Sequence, residues 1–153
     1  MYTRILVPLD GSEAAEGALA HAAQMADIFD AELILLRATF IPDLPDLDLG
    51  EAQNILVKES EAYLCDVAVK LKGRGRGVRT VVRWSEAAEA IIDYAVAQEV
   101  SVVVMATHGH RDPQRWPMGS VAEKVLRSMR VPVLLIHVSS APDEMSRTGQ
   151  SVT

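Results

Sequence analysis

The sequence predicts an α/β fold with one parallel sheet of five strands and helices on both faces. Three observations favour this fold. Short apolar runs recur along the chain, they alternate with longer segments of helical periodicity, and turn-forming residues separate them. Strands that alternate with helices imply parallel pairing, because the chain must cross over the sheet between successive strands. The 153 residues suit a single domain, predicted at residues 1–139 with a flexible C-terminal tail at 140–153.

The first half of the chain predicts two strands and two helices. An apolar run at residues 5–7 predicts the first strand. Ser12 is predicted to cap a single helix that continues to Phe29, because this segment is rich in alanine, the best helix former. The apolar run within residues 32–38 is typical of a strand buried on both faces, and residues 51–71 predict a long helix after a proline-containing loop.

The second half of the chain predicts three strands and two helices. Strands are predicted at residues 78–83, 102–105 and 133–138, the second of them rich in valine. Helices are predicted at residues 85–98 and 120–129, each beginning at a serine that suits an N-cap.

The apolar residues of the first three predicted helices recur at helical spacing and are predicted to face the sheet. They are Ala15, Leu19, Ala22, Ala23, Ala26, Ile55, Leu56, Leu64, Val67, Ala68, Ala88, Ile91, Ile92, Ala95 and Val96.

The carboxyl ends of three strands are the predicted ligand site. In open parallel sheets, ligands bind beyond these ends at the point where the strand order reverses. The loops that follow strands one, two and four lie at residues 10–12, 38–42 and 106–120. Asp10 lies in the first of these loops. Its carboxylate either contacts a ligand sugar or a metal-bound water, or it accepts hydrogen bonds from amides of its own turn, and the sequence favours neither role.

The loop after strand four has features of an anion site. Gly109 allows the backbone to approach a ligand closely, and Gly119-Ser120 stands at a helix start, where free N–H groups and the helix dipole favour a phosphate. Ser120 and Glu123 also have the spacing of a capping box, which is the role that the local pattern favours. The two roles are compatible, because a hydroxyl both donates and accepts hydrogen bonds.

Composition argues against several classes of function. The net charge of −6 disfavours broad nucleic-acid binding, because an acidic chain repels the phosphate backbone. Cys65 is the only cysteine, so neither an intrachain disulfide nor a cysteine-rich metal site can form. No apolar run approaches the length of a membrane span, and the run before Pro8 is too short for a secretory signal. A cytoplasmic protein without membrane contact is therefore expected.

The motifs of several enzyme classes are missing from the sequence. No lysine follows Gly119 as it would in a P-loop NTPase, and no matched acid–base pair stands out. His108, His110 and Asp112 alternate along one loop, but loop residues of these types more often hold no metal. We therefore expect a binding protein rather than a dedicated enzyme, with slow hydrolysis of a bound ligand as the most that its residues would support.

Three stretches of the chain together resemble the universal stress protein family. They are residues 5–12 (ILVPLDGS), residues 103–109 (VVMATHG), and residues 119–127 (GSVAEKVLR) with the VPVLL run that follows at residues 131–135. The resemblance extends from residue 4 to residue 138. It implies a Rossmann-like fold of the adenine nucleotide alpha hydrolase-like type, in agreement with the predicted sheet.

One branch of that family binds ATP through a G-x-x-G pattern followed by nine residues and a G-S or G-T pair. The spacing is intact here, but Ala106 replaces the first glycine. Its methyl group would cost about 1 kcal/mol or more if the position needed a positive φ, and would fit if φ were negative. The resemblance implies that adenine lies near Ala38 and that the carboxylate of Asp10 contacts the ligand. The full set of implied contacts is Pro8, Asp10, Ala38, Met105, Ala106, His108, Gly109, Gly119, Ser120 and Val121.

The resemblance thus implies a cytoplasmic protein that binds ATP, with Mg²⁺, as a sensor or regulator in the stress response. It also implies a homodimer through an edge strand at Val133–Val138, which contains no proline or charged side chain that would oppose pairing when its histidine is neutral. The alternative is a dimeric interaction protein of the same fold that binds no nucleotide. Ala106 favours that alternative, whereas the intact glycine spacing favours ATP.

Overall fold

The computed structural model describes residues 1–42, 45, 48–72, 75–108 and 118–137. The predicted tail at 140–153 lies outside these residues, as do Gly109, His110, Asp112 and Val138. The helices and strands within the described residues are, in chain order, β1 (Arg4–Pro8), α1 (Glu13–Glu16), α2 (Leu19–Phe29), β2 (Glu32–Thr39), α3 (Leu49–Leu71), β3 (Val78–Trp84), α4 (Ala87–Ala97), β4 (Val102–Ala106), α5 (Ser120–Ser128) and β5 (Val133–Ile136).

The strands form a five-stranded parallel sheet, which confirms the predicted fold class. The order of the strands is β3-β2-β1-β4-β5, and each neighbouring pair is parallel. The chain builds the sheet outward from β1 through β2 to β3, then returns to the other side of β1 for β4 and β5. The strand order therefore reverses between β1 and β4, where the helices on either side diverge and leave a crevice at the carboxyl ends of the strands.

Helices cover both faces of the sheet, because successive side chains of each strand point to opposite sides. Leu33 and Leu35 pack in one apolar core with α1, α2 and α3. Ile34 and Leu36 pack in a second core with α4 and α5. All four leucine and isoleucine side chains of this run are buried, as the continuous apolar pattern of the strand predicts.

The predicted helix at residues 12–29 is divided into α1 and α2. Ser12 is the N-cap as predicted, and its hydroxyl oxygen accepts a hydrogen bond from the N–H of Ala15 at 3.1 Å. The N–H groups of Gly17 and Ala18 bond to carbonyls three residues earlier in the chain, so a tighter turn separates the two helices. Glycine favours an interruption here, because it is a poor helix former.

Two residues predicted to face the core are exposed instead. Ile55 is 51% exposed and Val96 is 73% exposed. The 23 residues of α3 span about 35 Å, whereas the seven residues of β3 span about 23 Å, so one end of α3 extends beyond the sheet. Val96 lies five residues after the buried Ile91, which is a rotation of about 140° around α4, toward solvent.

Two helix starts differ from their predicted positions. Asp48 caps α3, with its Oδ1 accepting from the N–H of Gly50 at 3.0 Å, so the helix begins two residues before the predicted Glu51. The N-cap of α4 is Glu86, so the prediction of Ser85 as the cap is wrong. Within the described ranges, no helix combines the length and the apolar character that crossing a membrane requires.

Candidate functional site

A cavity of about 510 Å³ lies at the carboxyl ends of β1, β2 and β4, where the strand order reverses. It therefore occupies the place that the sequence predicts for a ligand. Gly109 lies outside the described residues. The other predicted site residues all line the cavity, namely Pro8, Asp10, Ala38, Met105, Ala106, His108, Gly119, Ser120 and Val121.

The wall of the cavity changes from apolar to polar. Leu36 and Ala38 of β2 face Ala88 and Ile91 of α4, and Met105 of β4 adds a further apolar side chain. Asp10, His108 and Ser120 supply polar groups elsewhere along the wall. An apolar slot beside a few polar groups is the usual composition of a small-molecule site.

Asp10 supports the turn in which it lies. Its Oδ1 accepts a hydrogen bond from the N–H of Ser12 at 2.9 Å and another from the Ser12 hydroxyl. Gly11, between them, has a φ of +86°, a conformation that glycine adopts without strain. Asp10 therefore stabilises its own turn, which is one of the two roles that the sequence left open. Asp10 also lines the cavity.

Gly119 brings the start of α5 against the end of β4. Its N–H donates to the carbonyl oxygen of Thr107 at 2.7 Å. A Cβ atom added at Gly119 would lie 3.0 Å from that oxygen, which is closer than side-chain carbons normally approach. A side chain at this position would therefore crowd two packed backbone segments, whatever the cavity holds.

The capping box predicted for Ser120 and Glu123 is wrong. Gly119 is the N-cap of α5, so Ser120 is the first residue of the helix and its side chain is one position too late to cap it. Glu123 instead pairs with Arg127, with 2.8 Å between Oε1 and Nη2. Ser120 is exposed at the cavity wall, beside the first N–H groups of α5.

Ala106 fits its position without backbone strain. It is the last residue of β4 and pairs with Ile136 of β5. Within the described part of the chain, the non-glycine residues with positive φ are Asp30 and Glu99 only. The sequence left open whether φ at residue 106 is positive or negative, and the structure has the negative φ that suits alanine. Ala106 therefore forms part of the cavity wall without strain.

An ion pair connects the two helices beside the cavity. The ammonium nitrogen of Lys124 on α5 lies 3.9 Å from carboxylate oxygens of Glu86 and Glu89, at the start of α4. These side chains are largely exposed, so the pairs add little stability. Among the described residues, no three acidic, histidine or cysteine side chains cluster as a metal site would require.

The comparisons with known proteins agree with this architecture. The model of the universal stress protein family matches residues 1–137. The chain belongs to that family. The universal stress protein MJ0531 of Methanocaldococcus jannaschii is 27% identical over 140 residues, which cover 89% of this chain and 82% of that protein. The family assignment made from the sequence motifs is therefore confirmed.

Two solved structures resemble this universal stress protein along most of its length. The M. jannaschii protein MJ0577 has a TM-score of 0.81 at 28% identity, with 92% of this chain and 99% of that chain covered. A universal stress protein solved in complex with cAMP has a TM-score of 0.71 at 25% identity, with 90% and 99% covered. The Rossmann-like α/β fold is thus shared with them.

The sequence did not identify the α4 wall of the site in this universal stress protein. Glu86, Ala88 and Ile91 line the cavity, although they follow β3, which is not adjacent to the reversal point. The spatial order of the strands explains why α4 lines the site. The connection from β3 to β4 must cross β2 and β1, so the helix that makes it begins at the carboxyl edge, above the site.

Proposed function

We propose that this universal stress protein binds ATP, with Mg²⁺, as a cytoplasmic sensor or regulator in the stress response. The observation that carries the proposal is the cavity at the reversal point, which joins an apolar slot to the N-terminus of α5. An adenine nucleotide has the same distribution of polarity, with a planar base at one end and phosphates at the other. The relative solved in complex with cAMP supports this class of ligand.

We assign the parts of the nucleotide by matching its chemistry to the cavity wall. The adenine lies in the slot beside Ala38, and the ribose meets the carboxylate of Asp10. The phosphates meet the N–H groups at Ser120 and Val121, which have no partner within the helix because they belong to its first turn. The family resemblance adds Gly109, which follows His108 in the sequence, to the proposed phosphate contacts. Mg²⁺ is held mainly by the phosphates, as is usual for this ion.

The binding of ATP can be tested by calorimetry on the purified protein with Mg²⁺ and ATP. Ser120→Ala should weaken ATP binding by about tenfold or more, because a hydrogen bond to a charged phosphate is lost. Adenosine, which has no phosphate, should bind both proteins equally. Ser128→Ala, at the opposite end of α5, is the matched control and should leave both affinities unchanged.

The absence of any heat or thermal shift with millimolar ATP would contradict the proposal. It would favour the alternative of a dimeric interaction protein that binds no nucleotide. We further propose that bound ATP is held rather than rapidly turned over, because the sequence offers no matched acid–base pair at the site. Sustained multiple turnover that is lost in Asp10→Ala would contradict this part of the proposal.

We also propose a homodimer that pairs β5 with its symmetry mate. β5 is an edge strand, and it carries no charged side chain, whereas the other edge strand, β3, carries Arg79 and Arg83. The carbonyl of Pro132 accepts a hydrogen bond from the N–H of Val103 in β4, and the carbonyl of Ile136 accepts one from Thr107, the residue after β4. Because backbone groups alternate along a strand, the N–H and carbonyl of Leu135 point away from β4, toward the edge.

Leu135→Pro tests this interface, because it removes an N–H from the free edge and leaves the β4–β5 hydrogen bonds in place. We expect a monomer with retained secondary structure in light scattering at micromolar concentration, where the wild type is a dimer. Leu135→Val is the control and should remain dimeric. A monomeric wild type would refute the dimer, and a folded, dimeric Leu135→Pro variant would move the interface elsewhere.

A further inference from the structure

Arg37 lies on the face of the sheet opposite the cavity, close to the turn that carries Asp10. It follows Leu33 and Leu35 at alternate positions of β2, so it belongs to the face covered by α1, α2 and α3. Its guanidinium carbon is 4.9 Å from the centre of the Tyr63 ring of α3. A guanidinium at this distance from an aromatic ring is attracted by the ring electrons.

The ring under Arg37 is itself held in place. The Tyr63 hydroxyl donates a hydrogen bond of 2.8 Å to Oε1 of Glu16, at the end of α1. Burial, together with this hydrogen bond, raises the pKa of the Tyr63 hydroxyl above its ordinary value, so it remains a donor even where an exposed tyrosine would lose its proton. Arg37 therefore rests on a side chain that connects two helices.

The other side of the guanidinium supports the turn after β1. A Cβ atom added at Gly11 would lie 3.4 Å from Nη2 of Arg37 and 3.5 Å from its Cζ and Nη1. The guanidinium group is thus adjacent to the bare Cα of Gly11, within the turn closed by Asp10 and Ser12. Asp10 also lies close enough to Tyr63 for its charge to act on the hydroxyl.

We propose that Arg37 is a positioning residue for Asp10: stacked on Tyr63, it supports the turn at Gly11 and thereby fixes the direction of the Asp10 carboxylate at the cavity. This inference rests on the proposed function, in which that carboxylate meets the ribose. A turn with a glycine at positive φ has many accessible conformations, so an oriented hydrogen bond from it needs external support. A flat guanidinium provides that support and a lysine does not.

The preference of the protein for the ribose hydroxyls measures this role. The affinity for ATP is compared with the affinity for 2′,3′-dideoxy-ATP by calorimetry in each variant. The wild type should prefer ATP by about tenfold or more, because the dideoxy sugar lacks the hydroxyls that would donate hydrogen bonds to the carboxylate. Arg37→Met keeps an unbranched stem but removes the planar, charged guanidinium, and it should reduce the preference to about threefold or less. Arg37→Lys should not restore it.

Three further variants separate positioning from a general effect on the fold. Tyr63→Phe retains the ring that supports Arg37 and should keep the sugar preference, whereas Tyr63→Leu should lose it as Arg37→Met does. The matched control is Arg83→Met, because the Arg83 guanidinium lies 5.2 Å from the centre of the Tyr94 ring, in the same kind of contact away from the Asp10 turn. This control should keep the preference of the wild type.

The outcomes distinguish this inference from the function on which it rests. A wild type that binds no ATP refutes the proposed function and removes the basis of the inference. A wild type that prefers ATP while Arg37→Met keeps that preference refutes the inference alone. Equal losses in Arg37→Met and Arg83→Met also refute it. If Arg37→Met does not fold, the two Tyr63 variants test the inference instead. An equal preference for ATP over 2′,3′-dideoxy-ATP in Tyr63→Phe and Tyr63→Leu would then refute the inference.

Discussion

Gly119→Ala should destabilise the protein through one contact between two backbone segments. The added Cβ would lie 3.0 Å from the carbonyl oxygen of Thr107. That oxygen cannot move away freely, because the N–H of Thr107 bonds to the carbonyl of Ile136 at 3.0 Å and the oxygen itself accepts from Gly119 at 2.7 Å. Overpacking of this kind costs about 1–3 kcal/mol. A stretched hydrogen bond adds up to about 1 kcal/mol, so we expect a loss of about 2 kcal/mol.

The loss is measured as the free energy of unfolding in urea, and as a decrease in Tm of about 4–8 °C for a domain of this size. The matched control is Gly77→Ala. No atom of the described residues lies within 4 Å of a Cβ at Gly77, and its φ is not positive. The control should be neutral, or stabilising by up to about 1 kcal/mol, because alanine restricts the unfolded chain.

A Gly119→Ala variant as stable as the Gly77→Ala variant would refute this reasoning. It would mean that the start of α5 can move away from β4 at no cost. The same displacement would also change ATP binding, because the first N–H groups of α5 belong to the proposed phosphate site. Substitutions of Gly119 therefore test the packing of the fold as well as the ligand site, whereas Ser120→Ala tests the ligand site with little effect on packing.

Two further predictions concern single side chains. Ala106→Gly should lower the free energy of unfolding by about 0.5–1 kcal/mol, because glycine is unfavourable within a strand. Calorimetry should give an ATP affinity within about threefold of the wild type. A tenfold gain in affinity would mean that the methyl group obstructs the ligand. The raised pKa of Tyr63 makes its stabilising effect pH-dependent. The unfolded chain releases this proton near pH 10 and the folded chain at higher pH, so the advantage of the wild type over Tyr63→Phe in urea unfolding should decrease between pH 9 and pH 11. Solvent screening at this half-buried site keeps the change below about 1 kcal/mol, and an advantage that grew with pH would contradict the assigned cause.

The sequence by itself determined the succession of strands along the chain and the edge of the sheet at which the cavity lies. These properties depend on local chemistry. Apolar runs such as Leu33–Leu36 specify buried strands, and Ser12 suits the N-cap position of the helix that follows it. The turn at Asp10 and the glycine at residue 119 could also be recognised, because few residue types suit a turn or a close backbone approach.

Only the tertiary structure decided how these segments combine at the site. The N-cap of α5 is Gly119 rather than the predicted Ser120. The N–H of Gly119 bonds to the carbonyl of Thr107, twelve residues earlier, and this contact holds the backbone against the end of β4. Ala106 proved free of strain because β4 continues to it beside β5. The contact of Arg37 with Tyr63 joins residues 26 positions apart. Such contacts depend on strand register and helix packing across the sheet, which no local sequence pattern contains.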